Sequence, residues 1–229
     1  MAPTRYLRGV SIPLLVTRDE ESTTRTCATL RAQGIDAIAA PCLEFRVVDP
    51  DPVAVAAWAD TPLDLLVTSP RSLPALQAAG PSPRWRVLAL APTTAAALRR
   101  GGFPVAVACS GGGAALAAVT RPGPVLLATS DIGGDEVLRV RPDTMRWVTY
   151  QTVCPADLPA AARAALLGAY EVLAASPSAL RNLEALAPGA VARARCIRAW
   201  GGTTRAAALA LGATRVEDAP LVDEPPRQP

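Results

Sequence analysis

Short apolar runs of strand length alternate along the chain with amphipathic, alanine-rich segments. That alternation is the pattern of repeated βαβ units, and it predicts an α/β protein built on parallel sheets. Residues 12–17 read as a first strand, 20–33 as a helix stopped by Gly34, and 36–41 as a second strand. Further strands are expected at 63–68, 87–90, 105–108, 125–128 and 146–153, then at 170–175 and 196–200. None of the apolar runs approaches the roughly 20 residues needed to span a bilayer, so no membrane partner is expected.

An internal repeat sharpens this picture. Leu65-Leu66-Val67-Thr68-Ser69-Pro70-Arg71-Ser72-Leu73 returns as Val172-Leu173-Ala174-Ala175-Ser176-Pro177-Ser178-Ala179-Leu180. Further on, Leu90-Ala91-Pro92-Thr93-Thr94 returns as Trp200-Gly201-Gly202-Thr203-Thr204, again after a strand and before an alanine-rich helix. Both elements recur in the same order and at nearly the same offset, which predicts two similar α/β domains. Two β-branched and aromatic stretches, 43–48 and 147–153, flank the first repeat unit. The simplest topology makes them antiparallel connecting strands. Residues 49–146 then form an inserted domain, and 1–42 joins 154–229 to form a discontinuous one. Both stretches could instead be ordinary strands of one large sheet, which explains the duplication less well.

Composition then limits the chemistry. Half of the 229 residues are apolar, enough for substantial cores. There is no histidine, and every basic residue is arginine. Ser-His-Asp and Cys-His catalysis are therefore excluded, as are imidazole metal ligands, Schiff bases and a Walker lysine. Arginine keeps its proton at any ordinary pH, so it serves as a fixed cation for carboxylates or phosphates. The five cysteines lie far apart without a C-x-x-C pair, which indicates buried, reduced thiols and neither a disulfide framework nor a zinc site. Residues 1–9 lack an apolar segment of signal-peptide length, so a cytoplasmic location is expected. A net charge of +3 with scattered arginines and few aromatic residues makes nucleic acid an unexpected partner.

In both copies a Ser-Pro pair follows a strand and opens a helix, with serine suited to the N-cap and proline to the first turn. A cap alone accounts for Ser69 or Ser176. The same geometry also exposes backbone N–H groups that can receive a carboxylate or phosphate. Thr94 and Thr204 carry the same two readings. Four such helix starts at the carboxyl ends of parallel strands, the usual ligand-facing edge, favour binding. Gly111-Gly112-Gly113 lacks the G-x-G-x-x-G spacing and reads as a turn, whereas Gly133-Gly134 leads into a short helix begun by Asp135 and Glu136. No spaced acidic cluster accompanies Asp131, so no metal is expected.

Taken together, these elements resemble the uroporphyrinogen-III synthase family over nearly the whole chain. The resemblance rests on Leu15-Val16-Thr17-Arg18 with Leu30-Arg31-Ala32-Gln33-Gly34, on Val67-Thr68-Ser69-Pro70-Arg71 and its counterpart at Ser176, on Val148-Thr149-Tyr150-Gln151-Thr152, and on Trp200-Gly201-Gly202-Thr203-Thr204. Each motif alone is weak; their order and spacing make the set specific. The sequence departs from the family's pattern at Ala91, where glycine is usual. It also departs in a short 130–147 segment, and at 220–229, a proline-rich tail where a helix would be expected.

The resemblance implies two domains joined by a two-stranded ladder, with the active site in the cleft between them. It implies the substrate hydroxymethylbilane, a linear tetrapyrrole rich in carboxylates, and no cofactor. In that reaction the hydroxymethyl group leaves as water. Ring D is then attacked at its already substituted carbon, and a spiro intermediate recloses with ring D inverted, giving uroporphyrinogen III. On this basis Tyr150 would assist departure of the hydroxyl. Thr68, Ser69, Thr94, Ser176, Thr203 and Thr204 would hold the acetate and propionate arms, and Arg18 and Arg71 would clamp carboxylates. A monomer is expected. The alternative is a catalytically inactive homologue that binds a tetrapyrrole or another polycarboxylate in a regulatory role.

Overall fold

The computed structural model describes residues 12–219, so the arginine-bearing residues 1–9 and the proline-rich tail 220–229 lie outside it. In chain order the strands are β1 (Leu14–Thr17), β2 (Ala37–Ala39), β3 (Glu44–Val47), β4 (Leu63–Val67), β5 (Trp85–Leu90) and β6 (Val105–Cys109). They continue with β7 (Val125–Ser130), β8 (Met145–Val153), β9 (Glu171–Ala174), β10 (Ile197–Ala199) and β11 (Val216–Asp218). The chain divides into two units, Met1–Glu44 with Val153–Pro229, and Phe45–Thr152.

The first unit holds a five-stranded sheet in the order β11-β10-β9-β1-β2, with every pair parallel. Side chains alternate between its faces, as the two-residue strand period requires. Leu15, Val172, Ala174 and Ile197 pack on one face beneath helices Ala160–Ala165, Pro177–Leu186 and Gly202–Ala210. Leu14, Val16 and Leu173 face the opposite way onto Cys27 and Leu30 of helix Glu20–Ala32. That helix starts where Asp19 accepts a hydrogen bond from the Ser22 amide at 3.1 Å, with Glu20 and Glu21 in its first turn.

The second unit holds a six-stranded sheet in the order β3-β8-β7-β4-β5-β6, parallel in its β8-β7, β7-β4, β4-β5 and β5-β6 pairs. Leu65, Val67, Val87, Ala89, Leu126 and Trp147 pack on one face, and Leu66, Leu88, Leu127 and Val137 on the other. Each fully buried leucine contributes on the order of 2 kcal/mol. Asp64, 3 % exposed near the start of β4, accepts from the Arg121 amide at 2.8 Å and from the Arg86 guanidinium at 3.0 Å. The carboxylate therefore enters the sheet already paired.

The stretch 147–153 is the end of β8, which lies beside β3 and also pairs in parallel with β7; helix Asp135–Val140 carries the chain from β7 to β8 as a crossover. Other readings change. The triple glycine does not end in a turn; Gly112 and Gly113 open the helix Gly112–Ala118. The helix Pro52–Ala59 and strand β11 lie where no element was expected. Of the thiols, Cys27, Cys42 and Cys196 are buried, but Cys109 is half-buried and Cys154 exposed.

The repeat extends to backbone conformation. Gly201 stands before its helix with φ 82° and ψ 163°, and Ala91 occupies the corresponding place with φ 68° and ψ 148°. Ala91 is the sole non-glycine residue with positive φ among the described residues. Its Cβ makes this conformation costly, by roughly 1–3 kcal/mol. Ala91→Gly is therefore expected to stabilise the protein by about 1 kcal/mol after the greater freedom of glycine in the unfolded chain is subtracted, read as a higher urea midpoint at unchanged m-value. Gly201→Ala, whose new Cβ would meet nothing within 4 Å, is expected to destabilise through the backbone alone.

Burial pushes the Cys42 thiol from 9.0 up to about 12. The unfolded chain therefore loses this proton at a lower pH than the folded one, so stability must fall as pH rises from about 9 towards about 12. A shallower alkaline decline is expected for Cys42→Ala in unfolding titrations; an unchanged slope would contradict it.

Candidate functional site

In the second unit the chain runs β4, β5, β6 outward in one direction, then returns to place β7 on the other side of β4. The gap between the carboxyl ends of β4 and β7 is thus a topological switch point, where open parallel sheets form a crevice. A cleft of about 330 Å³ lies at this edge, lined by Thr68 and Ser69 after β4, Thr129 and Ser130 of β7, the Gly133-Gly134 turn, Glu136, and Tyr150 of β8.

Local sequence explains each placement. Ser69 is extended, with φ −150°, and its hydroxyl accepts from the Arg71 amide at 3.3 Å, while Pro70 begins a short 3-10 turn, Pro70–Ser72. Thr68 donates to the Thr129 hydroxyl at 3.0 Å, tying the end of β4 to β7. The loop after β7 is held against β8: the Asp131 amide donates to the Tyr150 carbonyl at 3.1 Å, and the Asp131 carboxylate accepts from the Thr152 amide at 3.0 Å. Arg146 adds a hydrogen bond to the Ser130 carbonyl at 2.8 Å. Glu136 reaches across to accept from the Gly113 amide at 2.8 Å.

Tyr150 is 8 % exposed and lines the cleft. Its ring meets Phe45 edge-on, with centroids 5.8 Å apart and planes at 83°. The Arg71 guanidinium lies 3.8 Å over the other ring of this pair, Phe45. Arg71 thus forms a cation–π stack beside the tyrosine, a placement the sequence pattern did not reveal.

The first unit repeats the arrangement. Its strand order reverses between β1 and β9, and the Thr17 hydroxyl bridges them by donating to the Leu173 carbonyl at 3.0 Å. At this edge Ser176 caps helix Pro177–Leu186 by accepting from the Ala179 amide at 3.2 Å. Arg18, just past β1, lies 4.9 Å over the Trp200 ring. In each Thr-Thr pair the first residue is exposed and the second buried: Thr93 and Thr203 face solvent, whereas Thr94 and Thr204 are 2 % and 1 % exposed. The direct ligand-facing candidates of these pairs are therefore Thr93 and Thr203, with Thr94 and Thr204 packed beneath.

Of the expected residues, Thr68, Ser69 and Tyr150 come together in one cleft, with Arg71 beside them. Thr94 sits one strand away, and Arg18, Ser176, Thr203 and Thr204 belong to the edge of the other unit. Sequence reasoning missed Thr129, Ser130, Glu136 and Phe45. Thr129 and Ser130 carried a usable signal, since they end an apolar strand just as Thr68 and Ser69 follow one. Glu136 and Phe45 carried none, because their partners Gly113 and Tyr150 are brought in by tertiary pairing. Among the described residues no group of three or more acidic or cysteine side chains could hold a metal ion, and no helix is long and apolar enough to cross a membrane.

Comparison with solved structures identifies the architecture. A mutant of the Thermus thermophilus uroporphyrinogen III synthase aligns over 90 % of this chain and 92 % of its own at 18 % identity, with TM-score 0.56. The uroporphyrinogen-III synthetase of Helicobacter pylori aligns over 91 % and 94 % at 16 % identity, with TM-score 0.58. At such identities the likeness establishes the fold. No curated protein matches the chain by sequence. The family model described as uroporphyrinogen-III synthase HemD matches residues 24–222, most of the chain's length. By that match, on a fold shared with solved synthases, the chain belongs to the uroporphyrinogen-III synthase family.

Proposed function

We propose that this chain cyclises hydroxymethylbilane to uroporphyrinogen III, with loss of one water and inversion of ring D. The observation that carries the reading is the family match across residues 24–222, and the cleft at the β4/β7 switch point supports it. The linear substrate closes unaided to the uninverted product, so the enzyme's task is to hold ring D where its substituted carbon is attacked. Fixing reacting groups in this way can supply several kcal/mol. A site built of hydroxyls, backbone amides and arginine, without histidine or lysine, suits positioning of this kind.

Each residue then takes a role. Tyr150 donates its phenolic proton, or a hydrogen bond, to the departing hydroxyl of the hydroxymethyl group; the resulting cationic azafulvene is captured by ring D. Thr68 and Ser69, at the cleft, receive carboxylate arms, as do the exposed Thr203, the Ser176 cap and the first-turn amides beside the buried Thr94 and Thr204. Arg71 and Arg18 supply fixed positive charge to those arms, each held in place by an aromatic face. The five free thiols support a reducing, cytoplasmic setting.

Freshly generated hydroxymethylbilane incubated with the purified protein is expected to yield the type III isomer, resolved chromatographically after oxidation to the porphyrin. Exclusive formation of the type I isomer at every enzyme concentration overturns the activity and leaves the binding-protein alternative. Tyr150→Phe is expected to lower kcat by about 100-fold while the far-UV spectrum stays unchanged.

A further inference from the structure

The pairing of β7 with β8 contains an irregularity whose position bears on Tyr150. Leu126, Leu127, Ala128 and Thr129 pair in step with Met145, Arg146, Trp147 and Val148, but Ser130 pairs with Tyr150. Thr149 is the extra residue, a β-bulge in a parallel pair, where bulges are rare. An uninterrupted register would bring Tyr150 level with Asp131, beyond the end of β7. The bulge draws it back along the strand by about 3.3 Å, level with Ser130, and both residues line the cleft.

Thr149 is fully buried. Its hydroxyl lies 3.0 Å from the Thr129 carbonyl and 2.8 Å from the Ser72 hydroxyl. A carbonyl only accepts, so Thr149 spends its single proton on Thr129 and accepts the proton of Ser72. The bulged residue is thus fastened by its side chain to the strand next door and to the 3-10 turn that follows Ser69. Branching at Cβ restricts its χ1 and holds the hydroxyl in this orientation.

We infer that Thr149 is a positioning residue: its bonds to Thr129 and Ser72 hold the bulge that sets Tyr150 at the cleft. The inference rests on the reading of Tyr150 as the group that assists hydroxyl departure. It goes further in assigning the placement of that group to a neighbouring hydroxyl that never meets substrate. A merely structural Thr149 would lower stability and leave the kinetics of the folded enzyme alone.

The test is a double-mutant cycle on the full chain with hydroxymethylbilane as substrate, using Thr149→Val, Thr149→Ser, Tyr150→Phe and the Thr149→Val/Tyr150→Phe double variant. Thr149→Val keeps the shape and removes the hydroxyl, and is expected to lower kcat about tenfold with KM within about twofold of the parent. Thr149→Ser retains the hydroxyl and restores kcat. The double variant is expected to be no slower than Tyr150→Phe, because Thr149 acts through the tyrosine. Ser72→Ala, which removes one partner of the same hydroxyl, supplies an independent variant should Thr149→Val not fold, with a kcat loss in the same direction. Unchanged kcat in Thr149→Val or in Ser72→Ala, or losses that multiply in the double variant, overturn the inference while leaving Tyr150 in its role. Wild-type kcat in Tyr150→Phe overturns both.

Discussion

Two neighbouring parallel strands cannot be joined by a tight turn, so successive parallel strands within each sheet are joined through helical crossovers, and their carboxyl ends come to lie along one edge. Everything chemically distinctive here depends on that constraint. Helices cover both faces, which is why strands such as Leu63–Val67 are buried at every position and why the apolar side chains sort into one cluster per face. With both faces closed, what remains for a ligand is the edge. Within the edge, the place where strand order reverses is left uncovered by a crossover.

That edge is furnished with hydroxyls and backbone amides. Thr68, Ser69, Thr129, Ser130 and Tyr150 offer hydroxyls that can give or accept hydrogen bonds; the fixed cation nearby, Arg71, is held over Phe45. The amino ends of the strands are furnished differently. There the Asp64 carboxylate is paired internally with the Arg86 guanidinium and the Arg121 amide. The two edges are furnished alike: a serine cap, a Thr-Thr helix start with its second member buried, and an arginine laid over an aromatic ring recur in each unit.

Where the two copies differ, the difference has a physical cost. Both helix starts after β5 and β10 require positive φ, and the second unit meets the requirement with alanine. Alanine survives there because the flanking bonds over-determine the backbone: the Ala91 amide donates to the Cys109 carbonyl at 2.6 Å, and its carbonyl accepts from Ala95. The strain sits beside the Thr93-Thr94 helix start, at the carboxyl end of β5.

The sequence by itself determined the α/β class, the duplication, the capping serines and the absence of imidazole and amine chemistry, because all of these are local: strand-length apolar runs, helix-start residues and composition act over a few positions. The pairing of the two Thr-Thr motifs was legible for the same reason, including the departure at Ala91. Which member of each pair is buried was not, since burial depends on what the helix packs against. Tertiary structure alone decided that residues 147–153 extend a parallel strand, that Glu136 reaches Gly113, and that Phe45 lies between Arg71 and Tyr150. It alone decided the position of Tyr150, for a one-residue bulge leaves no mark in the pattern of β8. Strand register is set between chains of residues distant in sequence, by hydrogen bonds that only the assembled sheet contains.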